Sequence, residues 1–550
     1  MLNRKGLFSG LIFTAFCLIL LNFGCASRQN PQGGPRDHDP PKLLKATPEN
    51  MTRFFKDKVI KLDFDEYFKV NNPYSEISMS PTPAKLPEYK TKDKSIVITL
   101  KDTLEKNTTY VINFGKSIAD VNESNVLKNF TYVFSTGAHI DSLSVSGTVI
   151  NTATQKKEKD ATVMLFTLKQ DTALFGKKKP TIYATTDSAG NFSLNNLHPD
   201  DYRIYALKET SPDKIYNKDD ELIAFTTKPI HLEKDTANIQ LNLFRQTPAK
   251  FRFVEQRFDA DGKMFFTFNR RLDNPSLKII YPPDFDKNKI VDISPTHDTA
   301  TVYMKTMDFD SLRFVLYDKD KAIDSVSKKK GRKETFSSGR LFTLSYNITG
   351  DNKLKPGTDL LIKGLYPIAS FDNSLFSLKE DSAEVSNFTI QQDTAANQKN
   401  LVFKYKWKQN RNYILTIENG AITDIYGDKN KRVLKRFAID KQENYSLLTL
   451  SVTVPDTGRS YIVELLNEEK RRLRSDVITK NTSLVYKDYI TGKYTVRVIY
   501  DTNKNGKWDS GNVKQKTQPE NIWVTDTPIT LRPNWEQVTP IAIPKEPVNP

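Results

Sequence analysis

Asp501, Asn503, Asn505 and Asp509 carry oxygen side chains at regular short spacing, with Gly506 at the sixth place of the run Asp501-Thr502-Asn503-Lys504-Asn505-Gly506-Lys507-Trp508-Asp509. A hard cation such as calcium asks for that: oxygen donors at alternate positions and a glycine where the loop turns sharply. The twelfth place is Asn512, where a helix-loop-helix calcium site would offer a bidentate glutamate, and the preceding Tyr494-Thr495-Val496-Arg497-Val498-Ile499-Tyr500 reads as a strand. The favoured expectation is therefore an Asn/Asp/Gly hairpin loop that needs no metal. The second reading is a calcium site at Asp501, Asn503, Asn505 and Asp509. The segment Lys208–Asp219 follows a similar strand but lacks the spacing and the glycine, so calcium is expected in the last domain if anywhere.

No other constellation asks for catalysis. Asp63 and Asp65 stand about 7 Å apart along a strand, on its polar side, with nothing to mark a pocket. The five histidines, His38, His139, His198, His231 and His297, are scattered without zinc-ligand spacing. Neither a Gly-x-Ser-x-Gly elbow nor a phosphate-cradling glycine loop is present. The chain is expected not to be an enzyme. Tyr405, Trp407, Tyr426, Trp508, Trp523 and Trp535 could stack on sugar rings, but most aromatics of β-sandwiches fill cores.

Near the start, basic Asn3-Arg4-Lys5 precedes an apolar run from Leu7 to Leu21 that ends in Asn22-Phe23-Gly24-Cys25. This resembles a bacterial lipoprotein signal. The resemblance implies cleavage before Cys25 and acylation of that residue, giving a signal peptide over 1–24 and membrane attachment through the acyl chains. A Pro/Gly-rich tether, 25–41, follows. An uncleaved spanning helix is the alternative, since the run is nearly long enough. Cys17 and Cys25 are the two cysteines, so a cleaved and acylated chain has no thiol for a disulfide and its domains must stand on packing. Surface-exported lipoproteins of Bacteroidota resemble one another in an acidic run after the cysteine. Ala26-Ser27-Arg28-Gln29-Asn30 has none, so an outer-membrane lipoprotein on the periplasmic face is expected.

The elements that must position these residues are strands. The chain has 550 residues with 11% aromatics, is rich in Thr, Val, Ile and Tyr, and is expected to be all-β, built of tandem Ig-like and transthyretin-like antiparallel β-sandwiches. The formal charge of +16 is spread among 66 acidic residues. Short basic clusters at Lys328–Lys333 and Lys470–Arg474 read as solvated edges, which discourage sheet-to-sheet aggregation. Attraction to acidic envelope polysaccharide or lipid is the functional alternative. Nucleic acid is not an expected partner of an exported chain; envelope proteins or polysaccharide are.

Val59-Ile60-Lys61-Leu62-Asp63-Phe64 alternates apolar and polar. Together with Asn107 to Ile112, Ile118-Ala119-Asp120 and Phe130 to Thr136, it resembles the bacterial Ig-like modules of surface-layer proteins and Bacteroidota lipoproteins. The resemblance implies an Ig-like domain over 42–138. Leu143 to Val149, Ala161 to Phe166, Thr186 to Leu194 and Tyr202 to Leu207 are similar in order to the transthyretin-like, carboxypeptidase-regulatory β-sandwich, expected at 142–245. Asp187–Gly190 reads as its turn, and Phe192 and Leu194 as inward residues. Echoes of the same segments place a degenerate Ig-like β domain at 248–335 and an Ig-like β domain at 338–441. A second transthyretin-like β-sandwich is expected at 443–545, because Gly492 to Tyr500 matches Asp201 to Leu207. Asp-Ser/Thr pairs such as Asp102-Thr103 and Asp310-Ser311 resemble the O-glycosylation acceptors of Bacteroidota proteins, and are also ordinary turn chemistry.

Overall fold

The computed structural model describes residues 37–170, 179–210, 213–334, 339–394 and 397–547. Cys25, the leader and most of the tether lie outside them. The chain is nearly all β, as expected, and its residues fall into two compact units that divide between Ile140 and Asp141.

In the first unit the alternation of Val59–Phe64 becomes a half-buried strand, with Ile60, Leu62 and Phe64 in the core and Lys61 outside. It lies between Leu43–Thr47 and Ser95–Thr99, and Glu88–Lys92 completes that sheet. Ser78–Ser80, Thr109–Asn113 and Thr131–Ser135 form a second sheet. Tyr110, Ile112, Tyr132 and Phe134 join Ile60, Leu62, Ile96 and Ile98 in one apolar cluster. Each of these large side chains contributes roughly 1.5–3 kcal/mol on burial, which offsets the chain entropy without a covalent cross-link.

The second unit begins with a strand, Leu143–Asn151, that pairs antiparallel with Asn191–Leu197 and parallel with Thr236–Arg245. A Cβ on Gly147 would lie 1.9 Å from the Ile239 carbonyl oxygen, so this parallel approach requires glycine. Asp187 closes the expected turn: its carboxylate accepts the Asn191 amide at 2.8 Å, Gly190 sits at φ 75°, and Phe192 and Leu194 point inward. Ile182–Thr185, Thr162–Thr167, Asp200–Lys208 and Leu222–Phe225 pair in that order, and Ile230–Leu232 joins the far end of Asp200–Lys208.

The same scheme recurs at the end of the chain. Tyr445–Thr453 pairs antiparallel with Thr482–Ile490 and parallel with Glu536–Ala542. Arg472–Ile478, Ser460–Leu466, Gly492–Asp501 and Ile522–Val524 follow in order, with Ile529–Leu531 on the far end of Gly492–Asp501. A second recurrence links the first unit to Leu344–Ile439. There Leu344–Tyr346, Leu360–Gly364, Asn400–Lys404 and Thr389–Asp393 make one sheet, and Phe376–Glu380, Asn412–Ile417 and Val433–Ile439 sit in the other. Between these regions, Phe253–Lys329 forms a four-stranded and a three-stranded sheet around Phe266, Ile279 and Phe314.

Strands buried on both faces set up the rest. Thr162–Thr167 is apolar from Val163 to Phe166: Val163 and Leu165 face the interior of their own sandwich, while Met164 and Phe166 face the other way and are equally covered. Something must lie on that outer face.

Candidate functional site: the Asp501–Glu520 loop

What covers it is the loop that carries the cation-like motif. Gly492–Asp501 ends in Asp501, which is 1% exposed. Its Oδ1 accepts the Asn505 amide at 3.0 Å, and its Oδ2 accepts the Gly506 amide at 3.0 Å and the Ser460 hydroxyl at 2.8 Å. Gly506 has φ 71°, the left-handed conformation that the motif anticipates. Asn503 and Asn505 both donate their side-chain amides to Asp509 Oδ2, at 2.5 and 2.7 Å. The four residues singled out in the sequence are thus brought together.

A fifth was missed. Glu520, arriving from the far end of the loop, accepts the Thr502 amide at 2.7 Å and the Asp509 amide at 3.0 Å. Burial pushes its carboxyl pKa up, with the Asp509 and Asp501 charges acting in the same direction. Its separation from Asp501 in sequence hid it, although it is the glutamate that the motif otherwise lacks.

The donor set therefore closes on itself. Every one of these carboxylates accepts hydrogen bonds from the loop, and a cation would need the Asn503 and Asn505 amides turned so that their oxygens face inward. Among the described residues no group of three or more His, Cys, Asp or Glu is arranged to hold a metal ion. Trp508 packs on the outer face of its own sheet against Ile462, Ile499 and Ile522 and donates its indole N–H to the Glu520 carbonyl at 3.0 Å. It is an anchor for the loop.

Beyond Asp509 the loop reaches the module at Leu143–Arg245. Val513, 1% exposed, sits in a cluster with Met164, Phe166, Tyr183, Tyr205, Phe225 and Phe244. Its amide donates to Gln246 Oε1 at 2.8 Å, Gln518 donates to the Phe225 carbonyl at 2.6 Å, and the Thr247 amide donates to the Ser510 hydroxyl at 2.9 Å. The Lys516 ammonium lies 4.5 Å from the centre of the Tyr205 ring and donates to the Tyr205 hydroxyl. A Cβ on Gly511 would stand 2.7 Å from the Phe244 ring, so that contact admits glycine alone. Lys507 adds an ion pair to Asp273, which Lys319 also holds at 2.7 Å. Hydrogen bonds from Lys319 and Lys507 lower the Asp273 pKa to about 2.

Other contacts join the remaining sheets of this unit. Asp292 accepts Asn397 and Lys399 at 2.6 Å each, the Tyr366 hydroxyl donates to Asp261 at 2.8 Å, and Tyr303, Tyr366, Ile425 and Tyr426 cluster together.

The remaining sequence candidates have structural places. Asp63 accepts Ser95 at 2.5 Å and pairs with Lys61 at 2.7 Å, while Asp65 accepts the Lys42 amide at 2.8 Å. Trp407 lies among Phe403, Tyr405, Tyr413 and Phe437. His231 bridges Asp201 at 2.7 Å and Glu233 at 3.1 Å at the surface, and the hydrogen bond to Asp201 raises its pKa. Trp535 is exposed beside Arg532, and Trp523 is half-buried.

Residues 37–136 match the model of the bacterial Ig-like domain. No curated protein matches the chain. Among solved structures it is similar to BcpA, the major pilin subunit of Bacillus cereus, at 8% identity over 74% of this chain and 99% of that one, with a TM-score of 0.13. Surface layer protein SbsC, domains 1–6, aligns at 10% identity over 90% and 67% of the two chains, TM-score 0.14. A Bacteroides ovatus protein from a mixed-linkage glucan utilisation locus, SGBP-B, solved with a mixed-linkage heptasaccharide, aligns at 13% over 63% and 87%, TM-score 0.17. At such scores these likenesses carry no functional argument.

Proposed function

We propose that this chain is a non-enzymatic, lipid-anchored cell-envelope protein that serves as a stiff scaffold, held at the periplasmic face of the outer membrane by acyl chains on Cys25. The observation that carries the reading is the docking of the last module's loop, through Val513, Lys516 and Gln518, onto the module at the start of the same unit. A unit that clasps its own first and last sandwiches cannot bend freely at the linkers between them, which suits a spacer that must hold its shape. The Ig-like domain at 37–136 and the leader ending at Cys25 support an envelope location. The carboxylates of the most motif-like loop accept hydrogen bonds from its own backbone and side-chain amides, which leaves them poorly placed for acid/base work.

The test is export in a Gram-negative host fed labelled palmitate. The wild-type chain should take up label, sediment with outer membranes and resist protease added to intact cells. Cys25→Ser should remain unlabelled and no longer sediment with outer membranes. Label-free wild-type protein, or cleavage of the wild type by external protease, sinks the anchor or its side respectively.

A further inference from the structure

We infer that the open seam of the last β-sandwich, floored by Trp523, binds a neutral saccharide. This goes beyond the scaffold reading and does not depend on it. The two sheets of this module part along one side, where Glu536–Ala542 is the edge of one sheet and Ile522–Val524 the edge of the other. The groove between them has a volume of about 410 Å³, within the roughly 300–1,000 Å³ of small-molecule sites. Trp523 pairs with Val498, a core residue, so its ring faces between the sheets and closes the interior at the seam.

The side chains opposite are of the wrong type for a core. Gln537 and Thr539 are in register with Leu448 and Leu450, both fully buried, and so occupy inward-facing positions where an apolar residue would gain burial energy. Asp526 and Thr527 line the same groove. Gln537 donates to Thr539 at 3.2 Å, which leaves its amide oxygen as an acceptor.

An indole face beside hydroxyl, amide and carboxylate groups matches a pyranose, whose C–H face is apolar and whose rim is hydroxyls. Charge decides which saccharide. Asp526 is the charged side chain among the groove residues, so an acidic sugar would meet repulsion and a neutral one would gain a strong acceptor.

Isothermal titration of the full chain with cellohexaose, xylohexaose, laminarihexaose, mannohexaose and chitohexaose, with hexagalacturonate as the acidic contrast, tests this. At least one neutral hexaose should bind with Kd on the order of 0.1–1 mM, while hexagalacturonate should not bind. Gln537→Ala and Asp526→Ala should each weaken binding about tenfold, the loss of one or two hydrogen bonds. These rim variants keep the test clear of folding, which Trp523→Ala would risk; Trp523→Phe should abolish any saccharide-induced change in tryptophan emission. Absence of neutral-sugar binding, binding of hexagalacturonate alone, or affinity unmoved by both rim variants overturns the proposal. So does a serine/threonine-rich extended peptide occupying the seam in place of sugar. A Gln537→Val variant that raises the thermal midpoint while no sugar binds would show that the inward polar residues only guard the sheet edge.

Discussion

Two loops hang from the same corner of two sandwiches built on one pairing scheme, and they put the same carboxylate grip to different use. After Asp200–Lys208 comes Glu209, which accepts the Asp213 and Lys214 amides at 3.0 and 3.1 Å, and the loop ends at Glu221, which accepts Asn217 and Lys218 at 2.8 and 3.0 Å. After Gly492–Asp501, Asp501 and Glu520 do the corresponding work. Both loops are held by an acid at each end gripping backbone amides. They differ in what the grip supports. The earlier loop leaves its own module through a surface ion pair, Asp219 with Arg252 at 2.7 Å, and its Glu209 is half-buried beside Asp213. The later one uses its closed first half as a rigid base from which Gly511–Gln518 projects onto the other module. The lesson is that an acidic loop with cation-like spacing can be a mechanical part, in which the carboxylates replace backbone partners that the turn itself cannot supply.

The comparison breaks most easily at Val513. Val513→Asp would place a carboxylate in a site lined by Met164, Phe166 and Phe225, at a cost of about 3–5 kcal/mol for an uncompensated buried charge. The loop should undock. Hydrogen exchange in Thr162–Thr167 and Asp200–Lys208 should accelerate, while Tyr445–Thr453 keeps its protection. Equal acceleration in all three strands would mean that the loop is needed by its own sandwich as well.

A smaller effect separates the two acids that open the loops. Burial, with Asp213 beside it, raises the Glu209 pKa to about 7. An acid whose pKa is raised by folding binds more protons in the folded state, so its module is most stable below the unfolded pKa near 4.5 and loses stability as pH rises through about 7. Discounted for the water that still reaches this half-buried group, the loss is about 1–2 kcal/mol. Glu209→Gln should flatten that slope in thermal melts taken from pH 4.5 to 7.5. A slope that survives the substitution would assign it elsewhere.

The smallest expected effect is that of calcium. Because loop donors already occupy the carboxylates of Asp501, Asp509 and Glu520, adding millimolar calcium should move the melting midpoint by less than about 1 °C. A rise of several degrees, lost in Asp509→Asn, would instead show that the Asn503 and Asn505 amides turn over to make a cation site.

Much of the architecture was legible because its signals are local. Ile60, Leu62 and Phe64 report their own strand, Asp187 and Gly190 their own turn, and the likeness of Gly492–Tyr500 to Asp201–Leu207 lies in the sequence itself. The grouping of Asp501, Asn503, Asn505 and Asp509 was equally readable. Glu520 was not, since nothing local says that a residue near the start of the next strand folds back on the motif. The clasp was hidden more deeply, its two halves being separated by two intervening modules. It did leave a trace in the unbroken run Val163–Phe166, too apolar for a strand with one wet face, and in Val513, a lone aliphatic residue among Asn, Lys and Gln. Trp508 shows the converse: its type invited a sugar platform, and only its neighbours Ile462 and Ile499 identify it as an anchor.

The clasp also has a direction in time. Chains fold from the amino terminus as they emerge, so the module at Leu143–Arg245 is complete while the segment that shelters Met164, Phe166 and Phe225 has yet to be synthesised. Until Val513 arrives, that module presents a sticky aromatic surface to the proteases and chaperones around it. A chain cut short anywhere before the final sandwich keeps that surface bare for good, so the clasp doubles as a proof of full length, legible to any quality-control machinery that reads exposed apolar faces.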